Sequence, residues 1–433
     1  METSEIFNGL LDNLKVDNKS DIATRRNEIA KALNKDTRSL DGSTQNQLMV
    51  GSYGRGTAIR GISDLDMVYI LPSSLMASYS NETGPARILE RTRQAILARY
   101  PKTSIRVDQC VVVVQFQNFK FEVQPVFEND DKSFSYPDTY AKSWKTTKPR
   151  EEIDVIRDKD NATAGNLRNL CKMVRAWKNA NGVVMGGLLI DTLAYNFFRS
   201  AAEYDKVGTK SYDLLVRDFF KYLSEEEDHD HYAALGSRQR VKVKKKFQRR
   251  AKKAYALCED AIAAEGKSTM SKKWKAVFGK PVPTAVAEAA AQSAAASRAA
   301  SFRDTEQFIE DMYSLDVRYG VRIDCKVTQD GFRPAWLRRM LTDRVPLRAR
   351  KSLDFSIEEC DVPQPYDVKW KVLNRGVEAE RRDNIRGQVI NSTAGNHRRE
   401  VTTFRGDHIV ECYVIKDGVV VARDSLLVPI DPE

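Results

Sequence analysis

A pair of aspartates that flank a single leucine, Asp64 and Asp66, opens the segment that most constrains the fold. Residues 65–71 are rich in β-branched and aromatic side chains and end at Pro72, which predicts a β-strand. Side chains at positions i and i+2 of a strand point to the same face. We therefore expect both carboxylates on one face, close enough to share hard divalent cations, which prefer oxygen ligands.

A Gly-Ser pair, Gly51 and Ser52, precedes the aspartates. The glycine lets the backbone approach a phosphate, and the serine hydroxyl and nearby amides can donate to phosphate oxygens. A D-x-D pair alone is usually a solvated strand face. An apolar segment, Gly-Ser, a short Gly/Arg loop and then D-x-D entering a strand together predict a metal-dependent nucleotidyl-transfer site.

This order resembles the polymerase-β-like nucleotidyltransferases, in which a third acid follows on a neighbouring strand. Two residues could supply it: Asp108, before a valine-rich run, and Glu122, on the polar face of the alternating segment 119–127. The acid-x-x-Pro pattern of the family falls on Glu122 and Pro125, so we expect Glu122, although many relatives carry aspartate there.

The resemblance implies catalytic and metal-binding roles for Asp64, Asp66 and Glu122. Two Mg²⁺ ions, which Mn²⁺ can replace, would be held by the three carboxylates and would act on the attacking hydroxyl and the triphosphate. Glu122 is also a possible proton acceptor. In the same family Gly51 and Ser52 contact the nucleotide.

A basic, amphipathic helix is predicted over residues 166–178. Its basic residues lie at steps of three, on a different face from an apolar stripe, and an ordinary basic helix surface would look the same. The family resemblance implies that Lys172 and Arg175 grip the donor triphosphate. In the family a serine hydroxyl commonly contacts a phosphate at the start of the next helix, and this sequence has Gly187 at that place. One phosphate contact would therefore come from a backbone amide at Gly187 or from another residue.

Several further blocks resemble the CD-NTases, bacterial cyclic-oligonucleotide synthases related to cyclic GMP-AMP synthase. They are residues 121–127, 136–149, 171–178 and 235–237. The resemblance implies template-independent joining of NTPs into a cyclic di- or oligonucleotide, which signals to a separate effector protein during phage infection.

Two other functions compete with this interpretation. A linear nucleotidyltransferase that tails RNA or modifies a protein or small molecule would carry the same acids. A catalytically silent nucleotide- or RNA-binding module would lack a metal carboxylate, and none is missing here. The glycines of residues 51–56 are in the wrong order for a dinucleotide-binding motif, which argues against an oxidoreductase.

Composition is typical of a cytoplasmic enzyme of two or three domains. The 433 residues include six scattered cysteines without C-x-x-C spacing, as in proteins of a reducing compartment. The sequence shows no signal peptide and no apolar run of membrane-spanning length. We therefore expect a cytoplasmic protein without a membrane anchor.

The formal net charge of +10 raises the question of nucleic-acid binding. Much of the excess lies in residues 238–253, where apolar residues at helical steps, continuing to Ile262, predict one amphipathic helix with a basic face. Such a face is usually solvated. Duplex binding through phosphates is possible but not expected, since no helix-turn-helix or zinc finger accompanies it.

The composition changes sharply after residue 284. We expect a nucleotidyltransferase core with a helical lobe over 1–284, an alanine-rich linker over 285–302, and a β-rich domain over 303–433. Residues 301–311 predict a short capped helix. An Asp-Gly pair between two alternating runs, 408–416 and 419–423, predicts a β-hairpin.

The C-terminal part resembles the AGS-C module, a predicted sensor domain of such synthases. The matching blocks are residues 370–376, 385–387 and 406–415. The expected fold class is therefore α+β: a polymerase-β-like core with a helical lobe, followed by a small antiparallel β-sandwich-like domain.

Overall fold

A computed structural model describes residues 1–284, 306–328, 333–382, 384–392, 396–403 and 405–431. The chain divides into two compact units, one of Met1–Ser39 with Leu48–Ala291 and one of Leu40–Gln47 with Gln292–Glu433. The expected linker, 285–302, lies outside the described residues, so the three-part division of the chain stays a prediction. In the described part of the chain, no helix combines the length and apolarity needed to cross a membrane.

The first unit contains a mixed sheet and a helical lobe. Its helices are α1 (Thr3–Asn13), α2 (Lys19–Arg38), α3 (Gly51–Gly54), α4 (Met76–Tyr79), α5 (Gly84–Arg99), α6 (Pro149–Ala162), α7 (Asn166–Ala180), α8 (Gly187–Phe197), α9 (Tyr212–Glu225), α10 (Gln248–Ile262) and α11 (Met270–Phe278). Its strands are β1 (Gln47–Met49), β2 (Asp64–Ile70), β3 (Ser104–Asp108), β4 (Val111–Gln115), β5 (Lys120–Glu128), β6 (Phe134–Asp138), β7 (Ser143–Thr147), β8 (His231–Ala233) and β9 (Arg240–Lys242).

The main sheet of this unit has the strand order β1-β2-β5-β4-β3. The predicted strand after the aspartates is confirmed as β2, whose Leu65, Met67 and Tyr69 are fully buried. Strand β2 runs parallel to β5, with Asp66 opposite Glu122. Alternation along the strands sends the apolar residues into the core and leaves the acids on the other face.

The predicted helix 166–178 is confirmed as α7, which lies in the core of the helical lobe. The glycine before it, Gly165, has a left-handed φ of 90° and starts the helix. Its apolar stripe is at most 1% exposed and consists of Leu170, Met173, Val174 and Trp177.

The predicted basic helix over 238–253 is wrong in its first half. Residues Arg240–Lys242 form strand β9, which pairs with β8, and α10 begins only at Gln248. The run Arg-Val-Lys-Val-Lys alternates polar and apolar residues, and this period of two is typical of a strand. From Gln248 onward the helical stripe is confirmed, with Ala251, Ala254 and Cys258 buried.

In its described residues, the second unit is a β-sandwich with two short helices. Its strands are β10 (Ser314–Val317), β11 (Val321–Thr328), β12 (Ala335–Trp336), β13 (Ser352–Cys360), β14 (Asp367–Leu373), β15 (Val389–Asn391), β16 (Arg398–Val401), β17 (Gly406–Lys416) and β18 (Val419–Ile430), and its helices are α12 (Leu337–Thr342) and α13 (Val377–Arg381). One sheet has the order β15-β14-β17-β18-β10 and the other β12-β11-β13-β16. Side chains of both sheets, among them Phe355 and Trp370, form one core.

The predicted antiparallel sandwich and its hairpin are confirmed, apart from a parallel pairing of β10 with β18. At the hairpin turn Asp417 and Gly418 both have positive φ, 52° and 73°, as a two-residue turn of this type requires. The helix expected over 301–311 is not found in the described residues 306–311, where Ile309–Asp311 form a single 3₁₀ turn. Residues 301–305 lie outside the described residues.

Candidate active site

The three predicted acids come together at one wall of a cavity in the first unit. Asp64, Asp66 and Glu122 all line this cavity, which has a volume of about 820 Å³. The alternative third acid, Asp108, lies on β3, separated from β5 by β4, and its carboxylate pairs with Arg106 at 2.7 Å. The strand register therefore favours Glu122 over Asp108 as the third acid.

A lysine lies among these carboxylates. Lys120, two residues before Glu122 on the same strand face, places its ammonium nitrogen 2.7 Å from Glu122 and 3.5 Å from Asp64. In the described part of the chain, no three acidic, histidine or cysteine side chains converge closely enough to share a metal ion as they are placed. The ammonium holds together two carboxylates that would otherwise repel each other.

Asp66 is the acid most affected by its surroundings. Burial, together with the negative charge of Glu122, raises the pKa of Asp66 to about 6, while the positive charge of Arg55 acts in the opposite direction. The ionised form of a buried carboxylate beside two other carboxylates is strongly stabilised by a nearby cation. The donor set is all oxygen, as Mg²⁺ prefers, so the residues present fit the expected ions.

The raised pKa of Asp66 predicts a pH-dependent stability in the absence of divalent metal. The pKa of Asp66 is about 6 in the folded chain, against an ordinary value of 3.8. Ionisation of Asp66 therefore lowers the free energy of unfolding by its full amount above pH 6 and has no effect on it below pH 3.8. In EDTA, Asp66→Asn should increase the free energy of unfolding by up to about 3 kcal/mol at pH 7.5. Denaturant titrations of both proteins at pH 7.5 and pH 4.5 would test this; an equal difference at the two pH values would contradict it.

The turn that carries Gly51 packs directly against Asp66. Gly51 has a φ of 61°, and a Cβ atom at this position would lie 1.9 Å from Oδ2 of Asp66. The N–H of Val50 donates to the Asp66 carbonyl at 2.9 Å. Only glycine fits here, and the neighbouring Ser52 lines the cavity beside the acids.

Behind the turn lies a buried network of four charged residues. Asp191, fully buried, accepts from Nε of Arg55 at 2.9 Å and from Nη1 of Arg175 at 2.6 Å. Glu152 accepts from Nη1 of Arg55 at 3.1 Å and from the Ser237 hydroxyl at 3.0 Å. Burial alone would raise the pKa of Asp191, but the adjacent guanidiniums bring it down to about 2. The network ties the Gly-Ser turn to α7 and α8.

Arg175 uses most of its donors within this network. Its Nη1 donates to Asp191 and to the Cys171 carbonyl, and its Nη2 donates to Asp191 and to the Gly187 carbonyl at 3.1 Å. These four bonds account for all the terminal N–H groups of a guanidinium. Arg175 lines the cavity, so its direct contact with a triphosphate stays a prediction, as does that of Gly187.

Cations other than Arg55 and Arg175 also line the cavity. Lys178, Arg60 and Arg240 line the cavity, whereas Lys172 does not. Burial, with the positive charges of Arg175 and Lys244, lowers the pKa of Lys178. A half-buried ammonium that is repelled by two cations would gain from an anion in the cavity.

Several residues of the site were not identified from the sequence. Lys120 could have been found, because it lies two residues before Glu122 and so shares its strand face. Lys178 belongs to the same basic series as Lys172 and Arg175. Arg55, Glu152 and Asp191 gave no local signal, since their contacts join segments far apart in the chain.

Two family models match the chain. Residues 1–160 match the Second Messenger Oligonucleotide or Dinucleotide Synthetase (SMODS) domain, and residues 303–431 match the Adenylyl/Guanylyl and SMODS C-terminal (AGS_C) sensor domain. The first match contains Gly51, Ser52 and all three acids, and ends before α7. No curated protein matches the chain.

Two solved structures align with about two thirds of the chain. The complex of CdnC with HORMA-deltaN from E. coli MS115-1 has a TM-score of 0.51 at 15% identity, covering 65% of this chain and 98% of that chain. A mutant of the di-nucleotide cyclase DncV from Vibrio cholerae has a TM-score of 0.47 at 14% identity, covering 65% and 87%. The first of these similarities shows the polymerase-β-type nucleotidyltransferase fold expected from the sequence.

The two domain matches and the fold agree with one another. The synthetase domain covers the strands that carry the acids, and the sensor domain covers the β-sandwich. The chain therefore carries a SMODS domain, a nucleotidyltransferase domain that synthesises oligonucleotide or dinucleotide second messengers, and an AGS_C sensor domain.

Proposed function

We propose that this protein joins NTPs without a template into a cyclic di- or oligonucleotide, using Asp64, Asp66 and Glu122, as a signal in defence against phage. The observation that carries the proposal is the parallel pairing of β2 with β5. It sets Asp66 beside Glu122 at the wall of a cavity of about 820 Å³, with the Gly51–Ser52 turn next to them.

The position of each carboxylate supports the catalytic roles that we propose. CD-NTases are generally metal-dependent, and we propose that Asp64, Asp66 and Glu122 hold two Mg²⁺ or Mn²⁺ ions. When bound, such ions lower the pKa of an attacking hydroxyl and neutralise charge on the triphosphate. Glu122, on the strand next to the aspartates, would accept the proton of the ribose hydroxyl. Gly51 and Ser52 would contact the phosphates through backbone amides and the hydroxyl.

We propose that Lys178 is the residue of α7 that binds the donor triphosphate. Its ammonium lines the cavity, and its lowered pKa reflects burial and repulsion by other cations rather than pairing with an acid. Arg175, one turn earlier, would then position Gly187 and the start of α8 rather than bind the nucleotide itself. Lys172 does not line the cavity. It lies near Asp160, where its positive charge acts to lower the pKa of the carboxylate.

Replacing Lys178 by alanine is expected to weaken NTP binding about tenfold or more, with a smaller effect on the rate at saturation, because the ammonium holds ground-state phosphates. The measurement is KM and kcat for each NTP. Lys252→Ala, which removes an exposed lysine of α10, serves as the control. An unchanged KM for every NTP in the Lys178 variant would remove this residue from the donor site.

A linear nucleotidyltransferase remains the rival function, and the product distinguishes the two. The protein would receive all four labelled NTPs with Mg²⁺ or Mn²⁺, followed by phosphatase, a 3′–5′-specific nuclease and mass spectrometry. The proposal predicts a phosphatase-resistant product whose mass equals that of a ring of nucleoside monophosphates. Products with free ends, or products formed only on added RNA, protein or small molecule, would support the rival.

The cyclic product would act on a separate effector protein, and its site of action would be the cytoplasm. We propose the division into a catalytic part, 1–284, a linker, 285–302, and a sensor, 303–433, because the described residues of the second unit have a core of their own. Binding of nucleic acid is not part of the proposal, since the first half of the expected basic helix is not helical and contains strand β9, which pairs with β8.

A further inference from the structure

A segment of the second unit, residues 306–313, lies against the edge and the face of its larger sheet. We call these residues the strap. The N–H of Gln307 donates to the Gly387 carbonyl at 2.8 Å, and the N–H of Val389 donates to the Gln307 side chain at 2.9 Å. A Cβ atom on Gly387 would lie 2.7 Å from Cα of Glu306, so this glycine permits the close approach. The strap thus runs beside residues 387–389 like an added peptide.

The strap covers buried charges on the sheet. The ammonium of Lys371, a residue only 3% exposed, lies 2.7 Å from Glu306 of the strap and 3.6 Å from Glu411. The same ammonium lies 4.9 Å from the centre of the Phe308 ring. Arg423, also buried, pairs with Glu411 at 2.9 Å. Strap and sheet therefore form one network of charged and aromatic groups.

The strap supplies negative charge to the buried cations of the sheet. On the sheet itself, Lys371 and Arg423 carry two positive charges and both lie close to Glu411. Asp424 of the sheet and Glu310 of the strap also act on Arg423, whereas Lys371 lies 3.6 Å from Glu411 and 2.7 Å from Glu306 of the strap. Burying an uncompensated charge is costly, so this face requires a further anion. Glu306 provides it, while Ile309 adds an apolar contact in a cluster with Tyr413.

The blocks of sequence typical of the sensor domain converge on this place. Lys371 lies in the block 370–376, Gly387 in 385–387, and Glu411 with Tyr413 in 406–415. Packing alone would not require a buried lysine, a glycine beside the strap and a shared glutamate in the same spot. Their common feature is that all of them contact the strap or its charged partners.

We propose that this face of the sensor is a peptide-binding site that the strap occupies as an internal ligand. The partner it fits is an extended peptide with a carboxylate side chain two residues before an aromatic one, the spacing of Glu306 and Phe308. Such a peptide would pair with Lys371, run along residues 387–389 and displace the strap.

The test uses the full chain and a fluorescein-labelled peptide of residues 306–313, Glu-Gln-Phe-Ile-Glu-Asp-Met-Tyr. Its matched control is the same peptide with glutamine in place of the first glutamate. In wild type, excess acidic peptide should speed amide exchange of the strap about tenfold or more, and the glutamine peptide should not. Equal effects of the two peptides, or no effect of either, would overturn the proposal.

Strap variants provide a second, independent readout. Glu306→Gln with Phe308→Ala should bind the acidic peptide at least about tenfold more tightly than wild type, because the internal ligand no longer competes. Glu380→Gln, an exposed glutamate of α13, should behave as wild type. Adding Lys371→Met to the strap variant should abolish binding. Unchanged affinity in the strap variant would contradict the site, and the wild-type exchange experiment decides the question even if a variant does not fold.

Discussion

Replacing both aspartates of β2, Asp64→Asn with Asp66→Asn, is expected to lower product formation at least about a hundredfold and to leave the chain folded. The two carboxylates supply most of the negative charge that holds the proposed metal ions, and such ions contribute several kcal/mol to the barrier reduction. Folding should survive because Asp64 is exposed and Asp66 is destabilising when ionised. The measurement is the initial rate of NTP conversion with Mg²⁺ and with Mn²⁺.

The control for this variant is Asp108→Asn. Asp108 ends β3 of the same sheet, is exposed, and pairs with Arg106 rather than with the cavity. Its replacement should leave the rate within about twofold of wild type, since exposed ion pairs contribute little. Product from the double variant at more than about a hundredth of the wild-type rate would rule out the assignment of these acids as metal ligands.

Replacing Asp191 by alanine is expected to destabilise the first unit by about 3–5 kcal/mol. Removing one partner of a buried ion network leaves the others unpaired, and here both Arg55 and Arg175 would lose their shared carboxylate. Asp191→Asn, which keeps the shape and some hydrogen bonds, should cost less. Activity should fall as well, because the Gly-Ser turn and α8 lose their common anchor. The measurement is the denaturant midpoint, together with KM and kcat of the folded fraction.

Asp158→Ala is the matched control for the network. Asp158 is an exposed residue of α6 whose carboxylate pairs with Arg157, and its loss should cost at most about 1 kcal/mol. A similar small cost for Asp191→Ala would mean that the buried network does not hold the turn in place. In that case Arg175 would be released from its positioning role and could bind phosphate as the sequence resemblance implies.

The parts of the fold that could be predicted were those with strong local patterns. Strand β2, the apolar stripe of α7 and the Asp-Gly hairpin each have a period or a turn signal within a few residues, so their assignment needs no knowledge of the remaining chain. The shared face of Asp64 and Asp66 was predictable for the same reason, because side chains at positions i and i+2 of a strand point the same way.

The parts that could not be predicted depend on contacts between distant segments. The basic series on α7 gave no sign that Arg175 would pair with Asp191, a partner on the next helix. Nor did it show that Lys178 would face the cavity while Lys172 would not. The error at residues 240–242 has a different origin, because both periods fit that stretch, and pairing with β8 decides for the strand.

The central claim is that Asp64, Asp66 and Glu122 together hold two divalent ions when nucleotide is bound. The most direct measurement counts Mn²⁺ bound per chain, by electron paramagnetic resonance of free Mn²⁺, with a saturating non-hydrolysable ATP analogue. The account predicts two ions for wild type, and at most one, at least about tenfold weaker, for Asp64→Asn with Asp66→Asn. Equal stoichiometry and affinity in the two proteins would contradict it.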